Sequence, residues 1–196
     1  MSIIYCKDLS KSYKSNKVIN NFNYTFKDGL YFLHGKNGSG KSSLLRIITK
    51  IEKPTSGSVL TDNPNILFLT NMGIGQEYLT IRENIELSYS IHNLDIDDKV
   101  KTLINELYTE NQLNTPYDKA SLGMCLKVGC TLLFKQNHWD IIILDETLSN
   151  IDFDSRALIL KKISEIVDQG KTSIILTSHN NILDAYEGDF EVIQLN

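Results

Sequence analysis

Eight consecutive residues, Gly35-Lys36-Asn37-Gly38-Ser39-Gly40-Lys41-Ser42, spell G-x-x-x-x-G-K-[ST]. Each position has a chemical reason if the ligand is a polyphosphate. Glycines let backbone N–H groups converge on phosphate oxygens where side chains would stand in the way. A helix starting at the end of the loop aims the positive end of its dipole at the same anion. Lys41 is then placed to reach β- and γ-phosphates, and the Ser42 hydroxyl to ligate Mg²⁺. With glycine near 7% of residues, such a match arises by chance in a chain of this length at about the 1% level. The loop alone leaves ATPase, GTPase and kinase open.

Phosphoryl transfer to water also needs a carboxylate for the metal and a group that orients the water. Ile141-Ile142-Ile143-Leu144-Asp145-Glu146 ends an apolar run in two carboxylates. Asp145 is the candidate for Mg²⁺, directly or through water, and Glu146 the candidate that polarises the attacking water. Alone, the pair reads as a polar exit from a strand; beside a phosphate loop, the catalytic reading is favoured. Thirty-three residues after Glu146, a β-rich run ends in Thr177-Ser178-His179. That places His179 at the sheet edge where α/β folds gather their ligands.

These groups must be carried by elements of the right kind. Ile3-Ile4-Tyr5 is β-prone, and Tyr24-Thr25-Phe26 and Leu30 to Leu33 flank Asp28-Gly29 as in a hairpin. The 30–33 run enters the glycine loop, and a helical stretch follows from about Ser42 to Lys50, stopped by Pro54-Thr55-Ser56-Gly57. Ile66 to Leu69 is a further strand. From about Thr80 to Gln136 the spacing turns helical, through Leu87 and Ile91, then Val100, Leu103, Ile104 and Leu107. Strand-like runs return at 141–144, 173–176 and 191–195, with a helix implied by Ala157, Leu158, Leu160, Ile163 and Ile166. Continuous apolar runs suit strands buried on both faces, hence a parallel sheet between helices.

Composition narrows the class. With 196 residues, 41% of them hydrophobic and 22% charged, the chain is an ordinary globular one and not a disordered or collagen-like one. At this size folding buries about 70% of the unfolded surface, enough for a core without staples. Cys6, Cys125 and Cys130 are odd in number and form no C-x-x-C pair, which argues against a disulfide framework or zinc ribbon and for reduced thiols. No apolar run nears the ~20 residues of a membrane-spanning helix, and the N-terminus has no basic start with an apolar signal core. Residues 1–53 hold ten Lys and Arg against three acids, a net of +7, while the rest carries ten against twenty-one, a net of −11. A basic front favours an anionic ligand there.

The motifs in this order resemble those of the nucleotide-binding domain of ABC transporters, over nearly the whole chain. Residues 35–42 match its Walker A loop and 141–146 its Walker B strand. Ser149-Asn150-Ile151-Asp152 resembles the D-loop, His179 falls on the switch histidine, and 54–57 resembles the P-x-x-G turn. Leu9-Ser10-Lys11-Ser12-Tyr13 resembles the segment whose aromatic residue, here Tyr13, stacks on adenine. The L-S-G-G-Q signature is matched by Ala120-Ser121-Leu122-Gly123-Met124, with Ser121 and Gly123 in place and the first, third and fifth positions changed. This variant form is similar to that of export-type members. The glutamine normally found just after the 66–69 strand is missing; Thr70-Asn71-Met72 stands there, so Asn71 or the later Gln76 is its candidate substitute. Thr147 replaces the usual proline after the acidic pair.

The resemblance implies an α/β P-loop NTPase fold: a RecA-like, mostly parallel sheet with an N-terminal antiparallel β subdomain and an inserted helical subdomain. It implies one domain over 1–196, with 1–79 and 137–196 as core and 80–136 as helical insertion. ATP would be held by Tyr13, by Gly35, Lys36, Asn37, Gly38, Ser39, Gly40, Lys41, Ser42 and Ser43, by Asn71 and Asp152, and across a dimer by Ser121 and Gly123. Mg²⁺ would sit on Ser42 and Asp145, and Lys41, Glu146 and His179 would act in hydrolysis. The implied partners are a second ABC ATPase subunit, identical or different, and separate integral membrane permease subunits docked beside residues 70–80. Nucleic acid is not expected, and the implied place is the cytoplasmic face of a membrane. Two other readings stay open: a soluble ABC-type ATPase in iron–sulfur assembly or nucleic-acid maintenance, and an ATP clamp with weak hydrolysis. Against the chromosome-type relatives, the roughly hundred residues between Lys41 and Asp145 hold no sustained heptad.

Overall fold

A computed structural model describes residues 3–135, 137–178, 186 and 188–195. His179 lies outside the described residues. The chain runs β1 (Ile4–Tyr13), β2 (Asn16–Phe26), β3 (Gly29–His34), α1 (Lys41–Ile48), β4 (Ser56–Leu60), β5 (Ile66–Thr70), α2 (Ile81–Ile91), α3 (Asp98–Leu107), α4 (Glu110–Leu113), α5 (Leu122–Cys130), β6 (Ile141–Asp145), α6 (Phe153–Asp168), β7 (Ser173–Thr177) and β8 (Glu191–Gln194). The strands form a five-stranded sheet in the order β5-β6-β7-β3-β8 and a three-stranded sheet in the order β2-β1-β4. Every pairing in the larger sheet is parallel and both pairings in the smaller are antiparallel.

Period-two alternation explains why the larger sheet is buried on both faces. In β6, Ile141 and Ile143 face one core, while Ile142 and Leu144 face the other. In β7, Ile175 divides in the same way from Ile174 and Leu176, and in β3, Tyr31 and Leu33 divide from Leu30. One core is closed by α1 (Leu44, Leu45, Ile47, Ile48) and by Ile4, Cys6, Leu9, Ile19 and Phe26 of the antiparallel sheet. The other is closed by α2, α3, α5 and α6. Each fully buried Ile or Leu of β6 contributes about 1.5–3 kcal/mol, which holds the C-terminal end of this strand, where Asp145 stands, rigidly in place.

Three expectations are corrected. The hairpin across Asp28-Gly29 does not form: β2 pairs with β1 through a turn at Lys14 and Ser15, and β3 pairs with β7 and β8. The Gly29 N–H donates to the Thr172 carbonyl at 2.9 Å and sends the chain into the parallel sheet. There the apolar 30–33 run is covered on both sides. Tyr31 still packs on Phe26 and Tyr24, with ring centroids 5.1 and 6.0 Å apart, and so fastens the two sheets together. In α2 the buried face is Ile81, Asn84, Ile85, Ser88 and Tyr89, not the Leu87 and Ile91 stripe; Ile91 is 66% exposed. Polar groups share that face because each is satisfied. Tyr89 donates to the Thr131 carbonyl at 2.6 Å, and Ser88 to that of Asn84 at 2.7 Å. The helix after the glycine loop also ends at Ile48, two residues earlier than the spacing suggests.

All three cysteines are buried. Burial pushes the Cys6 and Cys130 thiols up to about 12, so both behave as inert core residues. Among the described residues, no helix is long and apolar enough to cross a membrane.

Candidate functional site

The glycine loop joins β3 to α1, with its last turn at Gly40 (φ +91°). A Cβ there would lie 2.6 Å from the Val18 carbonyl oxygen, so only glycine lets the loop pass under β2 at this conformation. Lys41 opens α1 and is only 6% exposed. Its Nζ donates to the carbonyls of Gly35 (2.7 Å) and Lys36 (3.1 Å), which folds the ammonium back inside the loop. Ser39 Oγ is buried with no hydrogen-bond partner.

Asp145 and Glu146 leave the sheet where β6 ends, between β5 and β7. Asp145 is 7% exposed and registers with Thr70 on one side and Thr177 on the other. Thr177 Oγ1 donates to Asp145 Oδ1 at 2.7 Å and accepts the Glu146 N–H at 3.0 Å. Glu146 has φ +58°, a conformation that costs a non-glycine residue about 1–2 kcal/mol. The turn aims it back at the loop. A cleft of about 310 Å³ is lined by Glu146 together with Val18, Asn37, Gly38, Gly40, Lys41, Ser42 and Ser43.

A second cleft, of about 520 Å³, is lined by Ser121, Gly123, Asn150 and Asp152 with Gln112, Leu122, Met124 and Lys127. Ser121 caps α5, its Oγ accepting the Met124 N–H at 3.2 Å. Gly123 packs so closely on the next segment that a Cβ would meet the Asn150 carbonyl oxygen at 2.8 Å. Asp152 caps α6 through the Ser155 N–H at 2.9 Å. Lys127, 3% exposed, ties these parts together: its Nζ donates to the Leu107 carbonyl (2.8 Å), Ser155 Oγ (3.1 Å) and Asp152 Oδ2 (3.3 Å). Despite the desolvation that opposes it, hydrogen bonds from Ser155 and the Lys127 charge hold the Asp152 carboxyl below its ordinary range.

Tyr13 stands beside the first cleft. Its hydroxyl donates to Glu52 Oε1 at 2.6 Å and meets Ser43 Oγ at 3.1 Å. Asn71, directly after β5, and Gln76 are both exposed and stand outside the lining of the first cleft. The Gln76 backbone is fastened to α2, its N–H donating to Asn84 Oδ1 at 2.6 Å and its carbonyl accepting Asn84 Nδ2 at 3.1 Å.

A protein-family model described as ABC transporter matches residues 19–149, a span that contains both the glycine loop and the acidic pair. The chain belongs to the ABC transporter family. This ABC cassette is an ATP-binding protein and an ATPase. It is 33% identical over 151 residues to the O-antigen export system ATP-binding protein RfbB of Klebsiella pneumoniae, covering 76% of this chain and 61% of that protein. It is 27% identical over 201 residues to the zinc import ATP-binding protein ZnuC of Rickettsia conorii, covering 99% and 83%. Among solved structures, a dimeric post-hydrolysis state of the ATP-binding cassette MJ0796 bound to ADP and Pi superposes with a TM-score of 0.77 at 22% identity, covering 98% of this chain and 94% of that one. The fold of the cassette is therefore that of the α/β P-loop NTPases.

The residues present in the cassette fit a magnesium-bound triphosphate. The loop offers backbone donors at a helix N-terminus, a buried ammonium and the unpartnered Ser39 hydroxyl. Ser42 and Asp145 offer hard oxygen donors of the kind that would hold Mg²⁺. Sequence reasoning missed Thr177, Lys127 and Glu52. Thr177 was visible only as a neighbour of His179. The other two act through contacts between residues 25 and 39 positions apart, which no local pattern reveals.

Proposed function

We propose that this cassette is the ATP-hydrolysing subunit of a membrane transporter, working as a head-to-tail dimer on separate permease subunits, in the direction of export. The observation that carries this is the pair of clefts. The phosphate loop with Glu146 opens on one, and Ser121 with Gly123 and Asp152 opens on another, and no residue lines both. One chain thus presents two half-sites. A second ATPase subunit, identical or different, turned end for end, brings the Ser121 helix N-terminus to the γ-phosphate held by the first.

In this reading the loop from Gly35 to Ser43 binds the triphosphate, Tyr13 meets the adenine, and Lys41 neutralises charge on the β- and γ-phosphates. Glu146 orients water in line with the γ-phosphorus and polarises it. Asp152 couples the two sites; Asn71, although outside the lining of this cleft, is the proposed substitute for the missing glutamine, and His179, outside the described residues, is the proposed γ-phosphate residue. Mg²⁺, held by Ser42 and Asp145, supplies charge neutralisation on the transferring phosphoryl group. Positioning and electrostatics supply the rate. The permeases dock beside residues 70–80, where Met72 and Tyr78 are 81% and 95% exposed, which keeps the cassette on the cytoplasmic face of the membrane. Export is supported by the Ser121-Leu122-Gly123-Met124 form of the signature and by the Klebsiella relative. Residues 1–79 and 137–196 form the nucleotide core, and 80–136 the helical insertion that carries the signature.

Glu146→Gln, expected to retain ATP without hydrolysing it, tests the reading. Sedimentation of this variant with ATP and Mg²⁺ is expected to show a dimer, alone or with a second ATPase subunit added, and the Ser121→Arg, Glu146→Gln double variant a monomer. ATP-loaded Glu146→Gln that stays monomeric in both settings would overturn it.

A further inference from the structure

Tyr13 is held by more than its strand. Its hydroxyl proton goes to Glu52 Oε1 at 2.6 Å, so at the 3.1 Å contact it is Ser43 Oγ that donates and the tyrosine oxygen that accepts. Glu52 is itself anchored: its N–H donates to the Arg46 carbonyl at 3.0 Å, and its Oε1 takes Lys11 Nζ at 2.7 Å. Lys11 also donates to the Lys53 carbonyl at 2.7 Å, and its ammonium lies 5.0 Å from the Tyr13 ring centroid. The lysine thus covers one face of the ring, while Tyr13 remains 43% exposed. The hydrogen bonds from Lys11 and then Tyr13 hold the Glu52 carboxyl below its ordinary range, keeping it ionised as an acceptor.

We propose that Glu52 and Lys11 form a bracket that fixes Tyr13 as a one-sided platform for the nucleotide base, which makes Glu52 a positioning residue for nucleotide recognition. The proposal rests on the reading of Tyr13 as the residue that meets adenine. A free tyrosine loses rotamer freedom when a base stacks on it; a ring already fixed by its hydroxyl does not, so binding is tighter with no added contact. The cation on the covered face is drawn to the ring's electron cloud and blocks that side, leaving one face for the base. Ser43 links the platform to α1 two residues after Lys41, so the distance between base and phosphate sites is set before ligand arrives. A phosphate oxygen competes for the Ser43 hydroxyl but not for the Tyr13 proton, which stays on Glu52.

Isothermal titration with ATP and with inorganic tripolyphosphate, both with Mg²⁺, separates base from phosphate recognition. Tyr13→Ala is expected to weaken ATP about tenfold or more, the worth of a base–aromatic stack. Tyr13→Phe keeps the ring and removes the tether, and with Glu52→Ala is expected to weaken ATP about three- to tenfold. Glu52→Gln, which still accepts the hydroxyl, recovers part of that loss. None of the four weakens tripolyphosphate. If Tyr13→Ala binds ATP like the wild type, the base reading fails and the bracket with it. If Tyr13→Ala weakens ATP while Tyr13→Phe and Glu52→Ala do not, the platform stands and the bracket is overturned. Parallel losses for ATP and tripolyphosphate overturn it too, since they mark a disturbed loop.

Discussion

Asp145 does not stand alone at the end of its strand: Thr177, its neighbour across the sheet, gives its hydroxyl proton to Asp145 Oδ1 at 2.7 Å. The Thr177 Oγ1 itself accepts the Glu146 N–H at 3.0 Å. One hydroxyl therefore orients the Asp145 carboxylate and pins the backbone of the adjacent acidic residue, whose φ of +58° needs such support. Thr177→Val keeps the β-branched shape and removes both bonds. Losing hydrogen bonds to a charged group costs about 1.5–3 kcal/mol, so steady-state kinetics are expected to show kcat down about tenfold or more. The affinity for ATP, set by the loop across the cleft, stays within about twofold.

A substitution at Gly123 is expected to separate binding from closure. A methyl group there meets the Asn150 carbonyl oxygen at 2.8 Å and pushes α5 from the segment leading to Asp152. Gly123→Ala is expected to leave ATP binding by the isolated chain unchanged, because its cleft shares no residue with the phosphate loop's. Turnover should fall about tenfold, read as phosphate release at saturating ATP. Equal loss in both assays would place the two clefts in one site within a single chain.

His92, packed beside Trp139, is expected to cost the fold stability in acid. Trp139 is buried, donates to the Leu132 carbonyl at 2.9 Å, and is met edge-on by His92 and His138 with centroids 5.0 and 4.5 Å away. Burial, then the charge of His138, lowers the His92 pKa below its ordinary 6.5. Below 6.5 the unfolded chain takes up this proton before the folded one does. The contribution is therefore complete above about 6.5 and is lost as pH falls from there through the lowered value. Urea midpoints followed by Trp139 fluorescence should fall from pH 7 to pH 5, and His92→Gln should flatten that slope.

The parts of this protein that were readable in its sequence are those governed by local chemistry. The 35–42 loop, the Asp145-Glu146 exit and the doubly buried strands at 141–144 and 173–176 each follow from spacing within a few residues. The Asp28-Gly29 hairpin failed because a good turn dipeptide says nothing of which sheet each flank joins, and burial of 30–33 on two faces outweighed it. The α2 face was misplaced because Asn84 and Ser88 are buried polar residues, made tolerable by hydrogen bonds invisible in an apolar pattern. Thr177, Lys127 and Glu52 escaped notice for a related reason: each matters through partners distant in sequence.

The central claim is that residues 35–42 hold a triphosphate through the ammonium of Lys41, and equilibrium binding of ATP with Mg²⁺ to wild type and Lys41→Ala tests it directly. The substitution removes the one buried cation of the loop, the group proposed to make a charge-assisted contact to phosphate. Wild-type protein is expected to bind ATP, and Lys41→Ala to bind it about a hundredfold more weakly while melting within a few degrees of wild type. Equal affinity in the two proteins, or no binding by either, would contradict the account.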